Sequence, residues 1–292
     1  MKIAIYGKPY QNELNDEITG ILEIIEKRGF EPIIYERYER YLNQEGHLKS
    51  GYKTFNRENV VIRDYGCLLS IGGDGTLLDT VTLVRDSNVP IVGLNAGRLG
   101  FISSLAVDEL DEVMTCLEKG DYEVDKRSLI QVETSRNVFG KLNFGLNEVT
   151  LHKKDTASMI KIESFVNGEF LNTYWADGLI VSSPTGSTAY SLSCGGPIIV
   201  PGSENFVITP IAPHNLNVRP VVVSNNVSLK LKADGRSDNF LLAIDSRPET
   251  IFPNEEIKIS KAPFTISLLK PKGHTFLNTM RNKLAWGFDK RN

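Results

Sequence analysis

A compact apolar strand, Cys67 to Ile71, runs straight into Gly72-Gly73-Asp74-Gly75-Thr76, and a helical pattern begins at once. A strand that feeds a helix through so short a glycine turn commits this part of the chain to βαβ units and a parallel sheet. The flanking segments follow the same grammar. Lys2 to Tyr6 reads as a strand, Ile18, Ile21, Leu22 and Ile25 recur at helical spacing before a capping Gly29, and Phe30 to Tyr35 returns as a strand. A helix from Thr76 to Arg85, a strand at Ile91 to Leu94 and a helix with Leu110, Val113, Met114 and Leu117 on one face ahead of Gly120 continue the pattern. Residues 37–59, rich in Tyr and charge but without a sustained period, read as a surface excursion.

Beyond residue 125 only β patterns remain, in runs at 128–134, 142–151, 160–166, 170–175, 221–224, 227–232, 240–245 and 257–269. Asn167-Gly168 is a two-residue hairpin signal, and the whole half is expected to be antiparallel. Phe276, Leu277, Met280 and Leu284 restore helical spacing at the end. A chain of 292 residues fits about two domains of usual size. We place an α/β domain at 1–125, with 275–292 packing back on it, and a β-rich domain at 126–274.

Composition narrows the partners. No apolar run approaches the roughly 20 residues of a membrane span, and MKIAIYGKPY has too short an apolar stretch for a secretory signal, so a soluble, cytoplasmic protein is expected. Three scattered cysteines, Cys67, Cys116 and Cys194, suit a reducing compartment rather than a disulfide framework. The net charge of −3 mixes 33 basic with 36 acidic residues, which leaves no footprint for nucleic acid. The four histidines show no ligand spacing, and no metal site built by the protein is expected.

The glycine turn lies where open α/β sheets bind ligands, beyond a strand's carboxyl end and at a helix N-terminus whose N–H groups favour phosphate. An acid there repels phosphate unless a metal bridges the two or the acid takes a proton from an attacking hydroxyl, and both roles occur in phosphoryl transfer. The alternative is a tight turn in which Asp74 or Thr76 caps the helix. No Walker sequence is present. A second segment, Ser183 to Gly196, is dense in hydroxyls and glycine and offers small donors for ribose and phosphate oxygens; its alternative is a Ser/Thr-rich surface loop. Asn147-Glu148 and Asp177-Gly178 stand at strand edges, where acids and carboxamides suit ribose hydroxyls.

Together these segments resemble the ATP-dependent NAD kinase family, through Gly72 to Gly75, Asn95 to Phe101, Asn147-Glu148, Asp177 to Leu179, Pro184 to Tyr190 and Gly195 to Pro197. The glycine loop alone is shared with diacylglycerol and sphingosine kinases, so a lipid kinase and a non-catalytic NAD(P) sensor stand as alternatives. The resemblance implies an α/β domain joined to a β-sandwich, with the last helix returning to the first domain. It implies transfer of the γ-phosphoryl of ATP, with Mg²⁺ bound mainly through the ATP phosphates, to the adenosine-ribose 2′-hydroxyl of NAD in a homodimer or homotetramer. Asp74 would be the proton acceptor, and Gly72, Gly73, Gly75, Thr76 and Asn95 would surround the nucleotide. Asn147 and Glu148 would hold NAD, and Asp177 its nicotinamide side. Thr185 and the run Thr188, Ala189, Tyr190, Ser191, Leu192 and Ser193 would wrap the adenosine part, with Ala212, Trp175 and Arg247 completing the set. The chain departs from many relatives at Asp79 and Trp175, where basic residues are common, and at Asp245-Ser246-Arg247, where some have Asp-Gly-Gln.

Overall fold

The computed structural model describes residues 1–9, 14–48, 51–95, 100–103, 105–154, 158–270 and 273–285. The chain forms two units, Met1–Lys126 with Ile266–Asn292, and Arg127–Thr265.

The first unit contains β1 (Lys2–Gly7), α1 (Leu14–Lys27), β2 (Glu31–Tyr35), α2 (Glu36–Gln44), β3 (Lys53–Phe55), β4 (Tyr65–Ile71), α3 (Asp74–Val84), β5 (Ile91–Leu94) and α4 (Leu110–Lys119). Its strands pair in parallel in the order β3-β2-β1-β4-β5. Ile3 to Tyr6 and Cys67 to Ile71 are buried residue after residue, as expected of parallel strands covered on both faces. The apolar stripes read from the sequence, Ile18/Ile21/Leu22/Ile25 and Leu110/Val113/Met114/Leu117, are buried, and Gly29 and Gly120 take the left-handed conformation of helix ends. The expected surface excursion at 37–59 is instead a helix and an edge strand. In α2 only Tyr38 and Leu42 are buried, one i,i+4 pair on an otherwise polar helix, too little to make a period.

The second unit carries β6 (Glu123–Thr134, entering from the first unit), β7 (Phe144–Gly145), β8 (Glu148–Lys153), β9 (Ile160–Val166), β10 (Glu169–Ala176), β11 (Gly178–Ser182), the one-turn α5 (Tyr190–Ser193) and β12 (Asn205–Ile211). It continues with β13 (Val221–Ser224), β14 (Leu229–Asp234), β15 (Phe240–Ile244), β16 (Arg247–Ile251) and β17 (Glu256–Lys270). One sheet runs β10-β9-β14-β17, with β6 paired to β17 and to β7; the other runs β13-β12-β11-β8-β15-β16 and is antiparallel throughout. Inward residues of both sheets, among them Ile162, Tyr174, Phe206, Leu231 and Phe240, share one core, which makes this unit a β-sandwich. The hairpin at Asn167-Gly168 has positive φ at both residues, 51° and 86°. The strands β12 and β16, absent from the sequence reading, contain Pro210 and Pro248, which break the strand signal.

Past Thr265 the end of β17 belongs with the first unit, where Leu268 pairs in parallel with Ile91. The final helix α6 (Phe276–Leu284) also belongs there, and His274 just before it contacts Glu109 at 2.8 Å. None of its residues is buried, so the expected apolar stripe does not serve as a packed face.

Candidate functional site

The expected site residues fall into two sets, one in each unit. In the first unit β4 ends at Ile71 and α3 begins at Asp74, two residues earlier than the apolar pattern indicated. Gly72 takes φ 137°, and a Cβ there would lie 2.6 Å from Thr76 Oγ1, so the turn demands glycine. Among the described residues a Cβ at Gly73 or Gly75 would meet nothing within 4 Å. Among the described residues no side chain caps α3, and the Thr76 N–H is taken by Gly73 O at 2.9 Å, so any further acceptor at this turn has the N–H groups of Asp74 and Gly75 before it.

Asp74 does not cap the helix. Its carboxylate accepts the backbone N–H groups of Phe101 at 3.0 Å, Ile102 at 3.2 Å and Ser103 at 2.8 Å. Ser103 Oγ donates to Gly72 O at 2.9 Å, and Asn95 Nδ2 donates to Ser103 O at 3.3 Å. The glycine loop, Asn95 and residues 100–103 are thus one hydrogen-bonded body; Ala96 to Leu99 of the family-like run lie outside the described residues. A carboxylate offers about four acceptor positions, and three N–H bonds leave about one for a ligand. Beside the loop, Lys8 Nζ donates to Gly75 O at 3.2 Å and contacts Asp79 Oδ2 at 3.0 Å, while the Tyr6 hydroxyl donates to the same oxygen. Asp79 is therefore compensated locally by Lys8.

In the second unit the expected strand 142–151 is interrupted. The N–H groups of Leu146, Asn147 and Glu148 turn to the carboxylate of Asp245 instead of a neighbouring strand. Asn147 and Glu148 are buried, and among the described residues Asn147 Oδ1 and Glu148 Oε2 have no hydrogen-bond partner. Buried polar atoms are almost always paired, so two such atoms on adjacent residues make this segment a candidate contact for a group outside the protein. Burial, with the nearby charge of Asp245, pushes Glu148 up to about 8.

The hydroxyl-rich segment divides its labour. Ser183 donates through Oγ to Leu146 O and through N–H to Asn147 O, and a Cβ at Gly186 would lie 2.1 Å from Asn147 O, so this turn packs directly against the Asn147 backbone. Thr185 is buried and accepts from Arg127 Nη1 at 3.0 Å, and Ser191 is buried against Thr209 at 2.8 Å. These hydroxyls, counted from sequence among ligand donors, are used inside the fold. Thr188, Ala189 and Leu192 are half-buried, and Tyr190 and Ser193 are exposed. Tyr190 and Cys194 hydrogen-bond, Cys194 lies within electrostatic reach of Glu148, and Tyr190 within reach of Asp177, which pairs with Lys153 at 2.5 Å. Burial raises the Cys194 thiol, which keeps it protonated rather than nucleophilic.

Three further expected residues sit differently. Trp175 is 48% exposed, with its carbonyl accepting from His214 N–H at 2.8 Å. Ala212 holds a strained positive φ of 43° next to Ile211, whose carbonyl accepts from Asp177 N–H. Arg247, expected to meet an anionic group, donates instead to the carbonyls of Leu142 and Phe144. Lys8, Ser103, Arg127 and Asp245 carried no local signal that marked them; each acts through partners distant in sequence.

Comparison with known proteins bears on this arrangement. Residues 17–122 match the ATP-NAD kinase N-terminal domain, and residues 146–270 match the ATP-NAD kinase C-terminal domain. The chain is 43% identical to the NAD kinase of Flavobacterium psychrophilum, 44% to that of Flavobacterium johnsoniae and 42% to that of Cytophaga hutchinsonii, in each case over all of both chains. Its fold resembles that of a yeast NADH kinase complexed with NADH, with a TM-score of 0.85 at 20% identity over 99% of this chain and 88% of that one. It also resembles an NAD kinase from Archaeoglobus fulgidus in complex with ATP, with a TM-score of 0.74 at 24% identity over 98% of each. Matches covering both units, with relatives aligned end to end, place this chain in the ATP-NAD kinase family.

Proposed function

We propose that this protein transfers the γ-phosphoryl group of ATP to the 2′-hydroxyl of the adenosine ribose of NAD, producing NADP. The observation that carries the reading is the pair of buried oxygens Asn147 Oδ1 and Glu148 Oε2, without a hydrogen-bond partner among the described residues, which suit hydroxyl and amino groups of a dinucleotide. Tyr190, Asp177, Trp175 and Ala212 would complete the dinucleotide surface, with Thr188, Ala189, Leu192 and Ser193. Thr185 and Ser191 would act through the shape they give that turn. In the first unit the open backbone at Gly73 and Gly75 would receive the triphosphate, and Asp74 would accept the proton of the attacking hydroxyl through its remaining acceptor position.

Phosphoryl transfer needs in-line positioning and charge neutralisation more than covalent chemistry. A divalent cation such as Mg²⁺, bound mainly through the ATP phosphates, would supply the neutralisation. Among the described residues no three His, Cys, Asp or Glu side chains come together in a metal-holding group. We further propose a cytoplasmic homodimer or homotetramer; among the described residues no helix is long and apolar enough to cross a membrane, and β10 presents Phe170 and Trp175 on an edge strand that a second copy would cover.

Incubation with Mg-ATP and NAD, followed by detection of NADP, tests the function; absence of NADP with consumption of ATP on diacylglycerol would move the chain to the lipid kinases. Binding of NAD without turnover would leave a sensor. Neither alternative gains support from the full-length matches.

A further inference from the structure

The turn joining β15 to β16 reaches back to the segment that carries the two orphan acceptors. Asp245 stands at φ 51°, a left-handed conformation uncommon for a residue with a side chain. Its carboxylate accepts the N–H groups of Leu146 at 2.9 Å, Asn147 at 2.9 Å and Glu148 at 3.1 Å. Two residues on, Arg247 donates Nη1 to Leu142 O and Nη2 to Phe144 O. The acid takes the N–H groups of 146–148 and the base takes the carbonyls of 142 and 144. The segment is gripped by both of its backbone polarities. The fit is close as well, since a Cβ on Gly145 would meet Ile244 Cγ2 at 2.6 Å and Asp245 Oδ2 at 2.9 Å.

We propose that Asp245 and Arg247 are positioning residues for dinucleotide recognition, fixing the backbone of 142–148 so that Asn147 Oδ1 and Glu148 Oε2 stand ready for donor groups of NAD. The inference rests on the NAD kinase reading. Neither residue needs to touch the substrate; the effect passes through three N–H and two carbonyl bonds.

The same clamp has an electrostatic signature. Glu148 is raised first by burial and second by the charge of Asp245. The other groups around it are Cys194, a thiol, and Ser182, its neutral partner on β11; β15, on its other side, carries no titratable side chain. Asp245 is itself raised by burial, against the pull of its three N–H donors and of Arg247. Ionised Glu148 is the stronger acceptor, so NAD affinity should increase as pH rises through about 8. Asp245→Asn keeps an oxygen for part of the N–H set but removes the charge, and the midpoint should move to lower pH.

The test is steady-state kinetics for NAD and ATP, with calorimetric titration of NAD between about pH 6 and pH 9, on wild type, Asp245→Asn, Arg247→Gln and Arg247→Lys. We expect Asp245→Asn to raise the KM for NAD about tenfold while the KM for ATP stays within about twofold, with the pH midpoint lowered, and Arg247→Lys to recover part of what Arg247→Gln loses. An unchanged KM for NAD, or a parallel rise of both KM values with the midpoint in place, would overturn the proposal. Should Asp245→Asn fail to fold by circular dichroism, Arg247→Gln decides: a KM rise confined to NAD supports the clamp, and equal changes for both substrates remove it. Wild type that makes no NADP would sink the NAD kinase reading itself, whereas normal wild type beside indifferent variants sinks only this inference.

Discussion

Asp74 in the first unit and Asp245 in the second make the same bond pattern and are put to different use. Each carboxylate accepts three consecutive backbone N–H groups, from Phe101 to Ser103 in one case and from Leu146 to Glu148 in the other. Asp74 is half-buried at the start of α3, beside backbone that a ligand can approach. Asp245 is half-buried as a residue too, but its carboxylate is desolvated, with the buried acid Glu148 and Arg247 beside it. The shared pattern is a way to hold a loop; what surrounds the carboxylate decides whether it also has a face left for chemistry.

The comparison can be broken by substitution. Asp74→Asn should lower kcat by roughly 10² to 10⁴, the usual worth of a general base, and should cost about 1 kcal/mol of stability as one N–H bond is lost. Near-normal NADP formation by this variant would make Asp74 a loop anchor like Asp245. Next come two glycines that separate the regions. A Cβ on Gly100 would sit 2.2 Å from Asp74 Oδ1, and one on Gly186 would sit 2.1 Å from Asn147 O. Gly100→Ala should therefore act on kcat and Gly186→Ala on the KM for NAD, each by about tenfold or more. If both variants move the same parameter, the division of roles is wrong.

A milder effect is expected from pH. The Glu148 pKa is raised from 4.5 to about 8, so folding favours the protonated acid; that stabilisation is complete below pH 4.5 and is lost as pH rises through about 8. The Tm of wild type should fall across this window more steeply than that of Glu148→Gln, and parallel curves would remove the buried-acid argument. Smallest of all, Gly75→Ala should leave stability unchanged or raise it by about 0.5–1 kcal/mol, because the site is open and helical, yet should weaken ATP. An unaltered KM for ATP would detach the triphosphate from this backbone.

Much of this was legible in the sequence where the determinants are local. The strand entering the glycine turn, the stripes of α1 and α4 and the Asn167-Gly168 hairpin follow from period and turn chemistry and stand where the residues put them. The segment 142–151 reads as one β run, although its alternation, Leu142, Phe144 and Leu146 and then Val149 and Leu151, slips by one at Asn147-Glu148; there Asp245, about a hundred residues on in the numbering, takes the N–H groups and breaks the ladder. Arg247 is placed among the ligand-binding residues for the same reason: its carbonyl partners, Leu142 and Phe144, have no sequence signature. The buried hydroxyls of Thr185 and Ser191 are indistinguishable by composition from the half-buried Thr188, because only packing decides which face is inside.

The first unit's sheet is completed by Leu268 pairing with Ile91, from a stretch that follows the whole of the second unit in the chain. During synthesis, then, the sandwich is available to fold before its neighbour has all of its strands, and β5, bridged on that side by Leu105 near its end, waits for Leu268 at its start until those residues leave the ribosome. Order of emergence favours the second unit as the earlier to mature, and a released chain ending at residue 265 should protect the sandwich from protease while leaving the α/β unit susceptible.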